Sequence, residues 1–152
     1  EIVSRDWSSD VCSSDLSFYI GWIVSSGGMF SLFYTWHGIF LNDFIRIQFP
    51  LSWFILFAAV TYLLLGFGMS VLLDSRLLHQ VHSIFFKTLL TGIISGLSLF
   101  MAATVVHISL TKELSMTHVI IDSSWQIFEQ CTGAFLIYLS RILVFSLSHD
   151  SI

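Results

Sequence analysis

Charge is scarce in this chain. Six Lys and Arg and ten Asp and Glu make up 11% of its 152 residues, against about 25% in an ordinary soluble domain. So few charged side chains cannot coat a soluble globule, and the mean hydropathy of +0.85 points the same way. Proline occurs once, at Pro50, so little interrupts long helices. Cysteine occurs only at Cys12 and Cys131, which excludes a disulfide framework and a cysteine-based metal site. There is no glycine-rich phosphate loop, no Gly-x-Ser-x-Gly turn, no His-Glu-x-x-His and no paired-cysteine motif, so the signatures of the common soluble enzymes are missing. Nor is there a basic patch of the kind nucleic acid requires.

In place of these features stand four long apolar runs, at about residues 17–40, 51–73, 83–110 and 119–147, each meeting the roughly 20 residues needed to cross a hydrocarbon core about 30 Å thick. Backbone groups inside lipid must be satisfied within the segment, and runs of this length do so as helices rather than strands. The expected fold is therefore all-α, a four-helix transmembrane bundle forming a single domain over residues 17–152, with the lipid bilayer as its first partner. The joints between the runs are too short to form an extramembrane core. One joint holds Asp43, Arg46 and Pro50, the next Asp74, Arg76, His79 and His82, and the third Lys112, Glu113 and His118.

Residues 1–16 differ from the rest. The run Asp6-Trp-Ser-Ser-Asp-Val-Cys-Ser-Ser-Asp-Leu16 resembles the conceptual translation of a common sequencing-library adapter, with Glu1 and Ile2 fitting the bases upstream and Val3 to Arg5 a variable index. The resemblance implies a non-native leader and a native N-terminus lying elsewhere. Setting it aside leaves five basic and six acidic residues, a net charge of −1, and Cys131 as the one thiol. The remainder resembles, in a generic way, the small four-helix inner-membrane proteins of bacteria, with no motif of a named family. That likeness implies the bacterial cytoplasmic membrane. The second joint and the C-terminal end carry Arg76, Lys87 and Arg141 against Arg46 and Lys112 on the other side, a narrow excess that places both termini in the cytoplasm.

Small and polar residues then suggest how the helices meet and where chemistry sits. Gly92 and Gly96 form a small-x-x-x-small pair suited to close helix packing, within the bundle or between copies in a homo-oligomer. The fourth run opens with His118, Asp122, Gln126 and Glu129 at offsets of four, four and three, which puts them on one helical face. Glu129 lies about 16 Å along the axis from His118, near mid-bilayer, where a carboxylate is costly unless neutral, paired or facing a wet cavity. It is expected to face the bundle interior, as a site for a proton, an ion or a polar substrate, or as interhelical glue bonded to Thr91, Ser95 or Ser98.

A second constellation follows from topology. His37, His107 and His118 fall at one membrane level with Asp43 and Asp122, so that His37, His107, His118 and Asp122 could hold a metal ion or transfer protons. His79 and His82, three residues apart, form half of another metal site. No resident cofactor is expected beyond such a metal. Asp43 and Arg46 read as a solvated pair, Arg141 as a side chain reaching to the membrane face, and Trp36, Trp53 and Trp125 as interfacial anchors. Three functions fit these residues: transport or permeation through the fourth-helix face, an intramembrane enzyme built on His37, His107, His118, Asp43 and Asp122, or an accessory subunit using the polar stripe against a membrane partner.

Overall fold

The computed structural model describes residues 3–47, 49–78, 81, 83–111 and 116–149, with the side chains at 3–14, 46, 77, 106–111, 118 and 148–149 outside that description. Among the described residues the protein is all-α. Four helices carry it: α1 (Val3–Phe33), α2 (Leu51–Asp74), α3 (Ile84–Thr111) and α4 (Met116–His149). Each contains a stretch long and apolar enough to cross a membrane, Asp15–Phe40, Leu51–Asp74, Ile84–Val105 and Val119–Leu147. The four expected runs and the four spans therefore coincide to within a few residues, except that the third is shorter. Three helices outrun their apolar stretches, since α1 passes through the adapter-like segment, α3 runs on from Val105 to Thr111, and α4 begins three residues before Val119.

The helix ends follow local chemistry. Beyond Phe33 the first helix widens into a π-helical turn, Tyr34–Phe40, in which the Leu41 N–H reaches back five residues to the Trp36 carbonyl at 2.9 Å. Asn42 then adopts the left-handed conformation (φ 55°), which an asparagine tolerates better than most residues and which stops the helix. A 3-10 turn, Asp43–Arg46, follows, and Pro50 starts α2 by accepting from the Trp53 and Phe54 N–H groups at 3.0 and 3.2 Å. At the other end of α2, Ser75 closes the last turn by donating its N–H and hydroxyl to the Leu72 carbonyl.

The helices form a ring in chain order. Broad contacts run between α1 and α4 and between α3 and α4, and α1 also carries α2, while α2 and α3 close the ring loosely. The tightest approach joins α3 to α4. A Cβ added at Gly92 would stand 2.5 Å from Cys131 Cα, and one at Gly96 would stand 2.8 Å from Ile127 Cα. The small-x-x-x-small pair thus lies inside the bundle, against the α4 backbone. Side chains at Gly66 and Gly133 would likewise strike Ser26 and Met29, so α1 is seated against both α2 and α4 through glycines.

Inside and outside are inverted relative to a soluble protein. The outer faces are largely apolar, with Ile23, Leu64, Phe86 and Leu143 among many large hydrophobic side chains left exposed. Buried positions include Ser25, Ser26, Ser70, Thr88, Thr91, Glu129, Gln130 and Ser140 beside a core of Met29, Tyr62, Met69, Leu73, Ala134 and Ile137. Water cannot drive such an arrangement, but a hydrocarbon solvent can, because it accepts the apolar faces and drives the polar groups inward.

Candidate functional site

Glu129 is 1% exposed and its neighbour Gln130 is wholly buried. The apolar stretch of α4 begins at Val119, which places Glu129 about 15 Å in, half the thickness of a hydrocarbon core about 30 Å across. Across the bundle, Tyr62 occupies the middle of α2, and its hydroxyl faces the Glu129 carboxyl. One turn before Glu129, Trp125 presents its indole to the same carboxyl from α4 itself. Neither Trp125 Nε1 nor Glu129 Oε1 has a hydrogen-bond partner of ordinary geometry. The same holds for the buried Gln126 Nε2, for both polar atoms of the Gln130 amide, and for Ser25 Oγ and Ser70 Oγ.

This cluster differs from the other buried polar residues. Ser26, Thr88, Thr91 and Ser140 each donate to a carbonyl four residues earlier in their own helix, at 2.8 to 2.9 Å, and so are satisfied locally. Side chains at 126, 129 and 130 are not. Unpaired buried groups cost about 1–3 kcal/mol each, so a concentration of them on one stretch of one helix calls for a ligand or a function. Of the α3 hydroxyls expected as partners, Thr91 donates to the Lys87 carbonyl and Ser98 is exposed, and the Glu129 carboxyl meets Tyr62 of α2.

The expected fourth-helix face is thus divided. Glu129 is buried, Gln126 is partly buried, and Asp122 is exposed about 10 Å further along the axis. The His118 side chain lies outside the described residues, as do those of His107, His79 and His82. His37 turns to Asp43, with Nδ1 3.0 Å from Oδ2, while the Arg46 side chain, whose spacing suggested a pair with Asp43, lies outside the described residues. Among the described residues no group of three or more His, Cys, Asp or Glu is placed to hold a metal.

Two aromatic and ionic features frame the site. Trp36, carried by the π turn of the first helix, stacks on Trp125 with ring centroids 4.1 Å apart and planes 12° from parallel. These two half-buried tryptophans therefore pack on one another between the first helix and α4, whereas Trp53 is exposed at the start of α2. At the opposite end, Arg141 does not simply reach to the membrane face. Its guanidinium donates to both Asp74 oxygens, at 2.6 and 2.9 Å, beside a cleft of about 320 Å³ that Asp15, Ser17 and Phe18 also line. That cleft is separated from Glu129 by twelve residues of α4, about 18 Å.

Tyr62 and Gln130 escape the spacing argument, and each left a trace. A tyrosine at the centre of a span is out of place, because its hydroxyl is ordinarily accommodated at the interface. Gln130 follows Glu129 directly, off the i, i+4 line but on the neighbouring inward face. Comparison with known proteins adds no family to this geometry, since no family model, no curated protein and no solved structure matches the chain.

Proposed function

We propose that this chain is a small multi-pass protein of the bacterial cytoplasmic membrane, with both termini in the cytoplasm, that belongs to the transport or permeation class and uses Glu129 to hold a proton, an ion or a small polar solute midway across. The observation that carries the reading is the unpartnered carboxyl oxygen of Glu129, buried at mid-span beside an amide, Gln130, that is itself wholly buried and unpartnered. Tyr62 of α2 meets the same carboxyl, but an ionisable residue buried in a membrane span with one oxygen left unpartnered is a functional group by default. Four helices are few for alternating access, so the active unit is a self-assembled oligomer or includes a membrane partner.

The reading is tested in liposomes loaded with a pH-sensitive dye, with an imposed proton gradient and then with gradients of small solutes. The intact protein is expected to dissipate at least one gradient faster than empty liposomes, and E129Q to lose at least tenfold of that excess. Rates equal to empty liposomes across the panel, or equal in E129Q and the parent, contradict it.

A further inference from the structure

The joints at the two ends of α2 are similar in length and opposite in character. After α2, Asp74 and Arg76 are exposed and Leu78 is turned in, and among the described residues no large hydrophobic side chain is exposed between Val71 and Ile84. That joint suits water. Before α2, over residues 41–50, the arrangement is reversed. Ile39, Phe40, Leu41, Ile45, Phe49 and Leu51 are all exposed, and Ile45, at 77%, is the most exposed large hydrophobic side chain described.

Two contacts hold this apolar joint down on the bundle. Asp43 meets His37 at 3.0 Å, and the Phe44 ring sits among those of Phe33, Tyr34 and Phe54, with centroids 6.2, 5.4 and 5.8 Å away. The fit is close, since a Cβ added at Gly38 would stand 2.6 Å from the Phe44 ring. With Phe44 inside, Ile45 and Phe49 carry apolar surface outwards, continuous with the exposed ends of the two spans at Phe40 and Leu51. Depth follows from length. The 24 residues of α2 reach about 36 Å and overrun a hydrocarbon core about 30 Å thick. Irregular backbone cannot lie bare in hydrocarbon, because its N–H and C=O groups need partners. The boundary between headgroups and acyl chains meets both demands: water reaches the backbone there, and apolar side chains reach the lipid tails. We propose that the joint before α2 is immersed in one leaflet at that boundary, with Ile45 and Phe49 among the acyl chains, while the joint after α2 stands in water. This rests on the membrane reading and goes beyond it, by making a lipid surface the partner of a segment outside the spans.

The test places a nitroxide on single cysteines, with Cys12 and Cys131 replaced by Ala, in the full chain in phosphatidylcholine nanodiscs. Its accessibility to oxygen, which concentrates in lipid, is compared with that to nickel-EDDA, which stays in water. At Ile45→Cys and Phe49→Cys oxygen accessibility is expected to exceed nickel accessibility at least twofold, as at Leu64→Cys on the outer face of α2, and the order to reverse at Arg76→Cys. A smaller oxygen excess or a nickel excess at Ile45 or Phe49 overturns the proposal by placing the joint in water. Low accessibility to both reagents overturns it by placing a second copy or another protein over the joint, and an oxygen excess at Arg76 overturns it by removing the contrast between the two ends. If Leu64→Cys itself favours nickel, the membrane reading falls as well; if Leu64→Cys favours oxygen and Ile45→Cys nickel, the immersion of the joint falls alone. Should the labelled variants fail to fold, hydroxyl-radical oxidation of the unmodified chain in the same nanodiscs decides. Phe49 is then expected to be oxidised within twofold of Phe67, a ring of similar exposure on the outer face of α2, and greater oxidation at Phe49 overturns the proposal.

Discussion

Against α3, the α4 backbone is approached so closely that a Cβ at Gly92 would stand 2.5 Å from Cys131 Cα, and the contact works through the small residues Gly92 and Gly96. Against α2, the same helix is reached across a sparse contact by two polar side chains, Glu129 and Tyr62. The two neighbouring faces of α4 therefore divide the work. One supplies the packing that a membrane bundle cannot draw from the hydrophobic effect, since lipid tails are as apolar as leucine. The other, relieved of that duty, can leave buried polar atoms unpartnered. On the proposed reading, stability and function are separable along the circumference of a single helix.

The largest expected effect comes from breaking the packing face. Gly92→Leu drives a side chain into the α4 backbone, which overpacks the contact by about 3 kcal/mol or more and lowers the melting temperature in detergent sharply. A loss of less than about 0.5 kcal/mol would show that α3 and α4 are not held by that approach. Trp36→Leu comes next. It removes a stacked ring pair worth about 0.5–1.5 kcal/mol beyond buried area, read by the same melting experiment and by loss of the exciton signature of paired indoles in near-ultraviolet circular dichroism.

The polar face should respond more weakly in stability. Tyr62→Phe keeps the ring and removes one hydroxyl, an expected change of about 1 kcal/mol or less in chemical denaturation, because the carboxyl it faces already tolerates an unpartnered oxygen. Smallest of all is Asp74→Asn. The Arg141 side chain it would release is 28% exposed and Asp74 itself 50%, so this pair contributes under about 1 kcal/mol even with bidentate geometry. If Asp74→Asn instead destabilised more than Gly92→Leu, the end of the bundle and not the α3–α4 seam would hold the fold.

Much of this division was visible in the sequence. Hydropathy marks the four spans because the bilayer imposes a length that composition alone can meet, and Gly92 and Gly96 mark the close seam because nothing larger fits there. The inward position of Glu129 follows from the cost of a carboxylate in lipid. What could not be read is rotation and reach. Asp122 shares the nominal face of Glu129 yet is exposed, because α4 leaves the shelter of its neighbours towards that end. Tyr62, on another helix and 56 residues before His118, the first expected site residue of α4, becomes a neighbour of Glu129 only when α2 packs into the ring. Trp36 meets Trp125 because the π turn shifts the register of the last residues of the first helix, a local widening that no periodicity announces. Arg141 and Asp74 find one another for the same reason, as two helix ends brought together by the fold.

The measurement that bears most directly on the division of α4 compares E129Q with Asp122→Asn for flux in liposomes, each checked for folding by its melting temperature. Both remove one negative charge from the same helix, about 10 Å apart along its axis. E129Q is expected to lose at least tenfold in flux while melting within a few degrees of the parent, and Asp122→Asn to keep at least half of its flux. Equal losses in the two variants, or a loss confined to Asp122→Asn, would contradict the assignment of function to the buried face of α4.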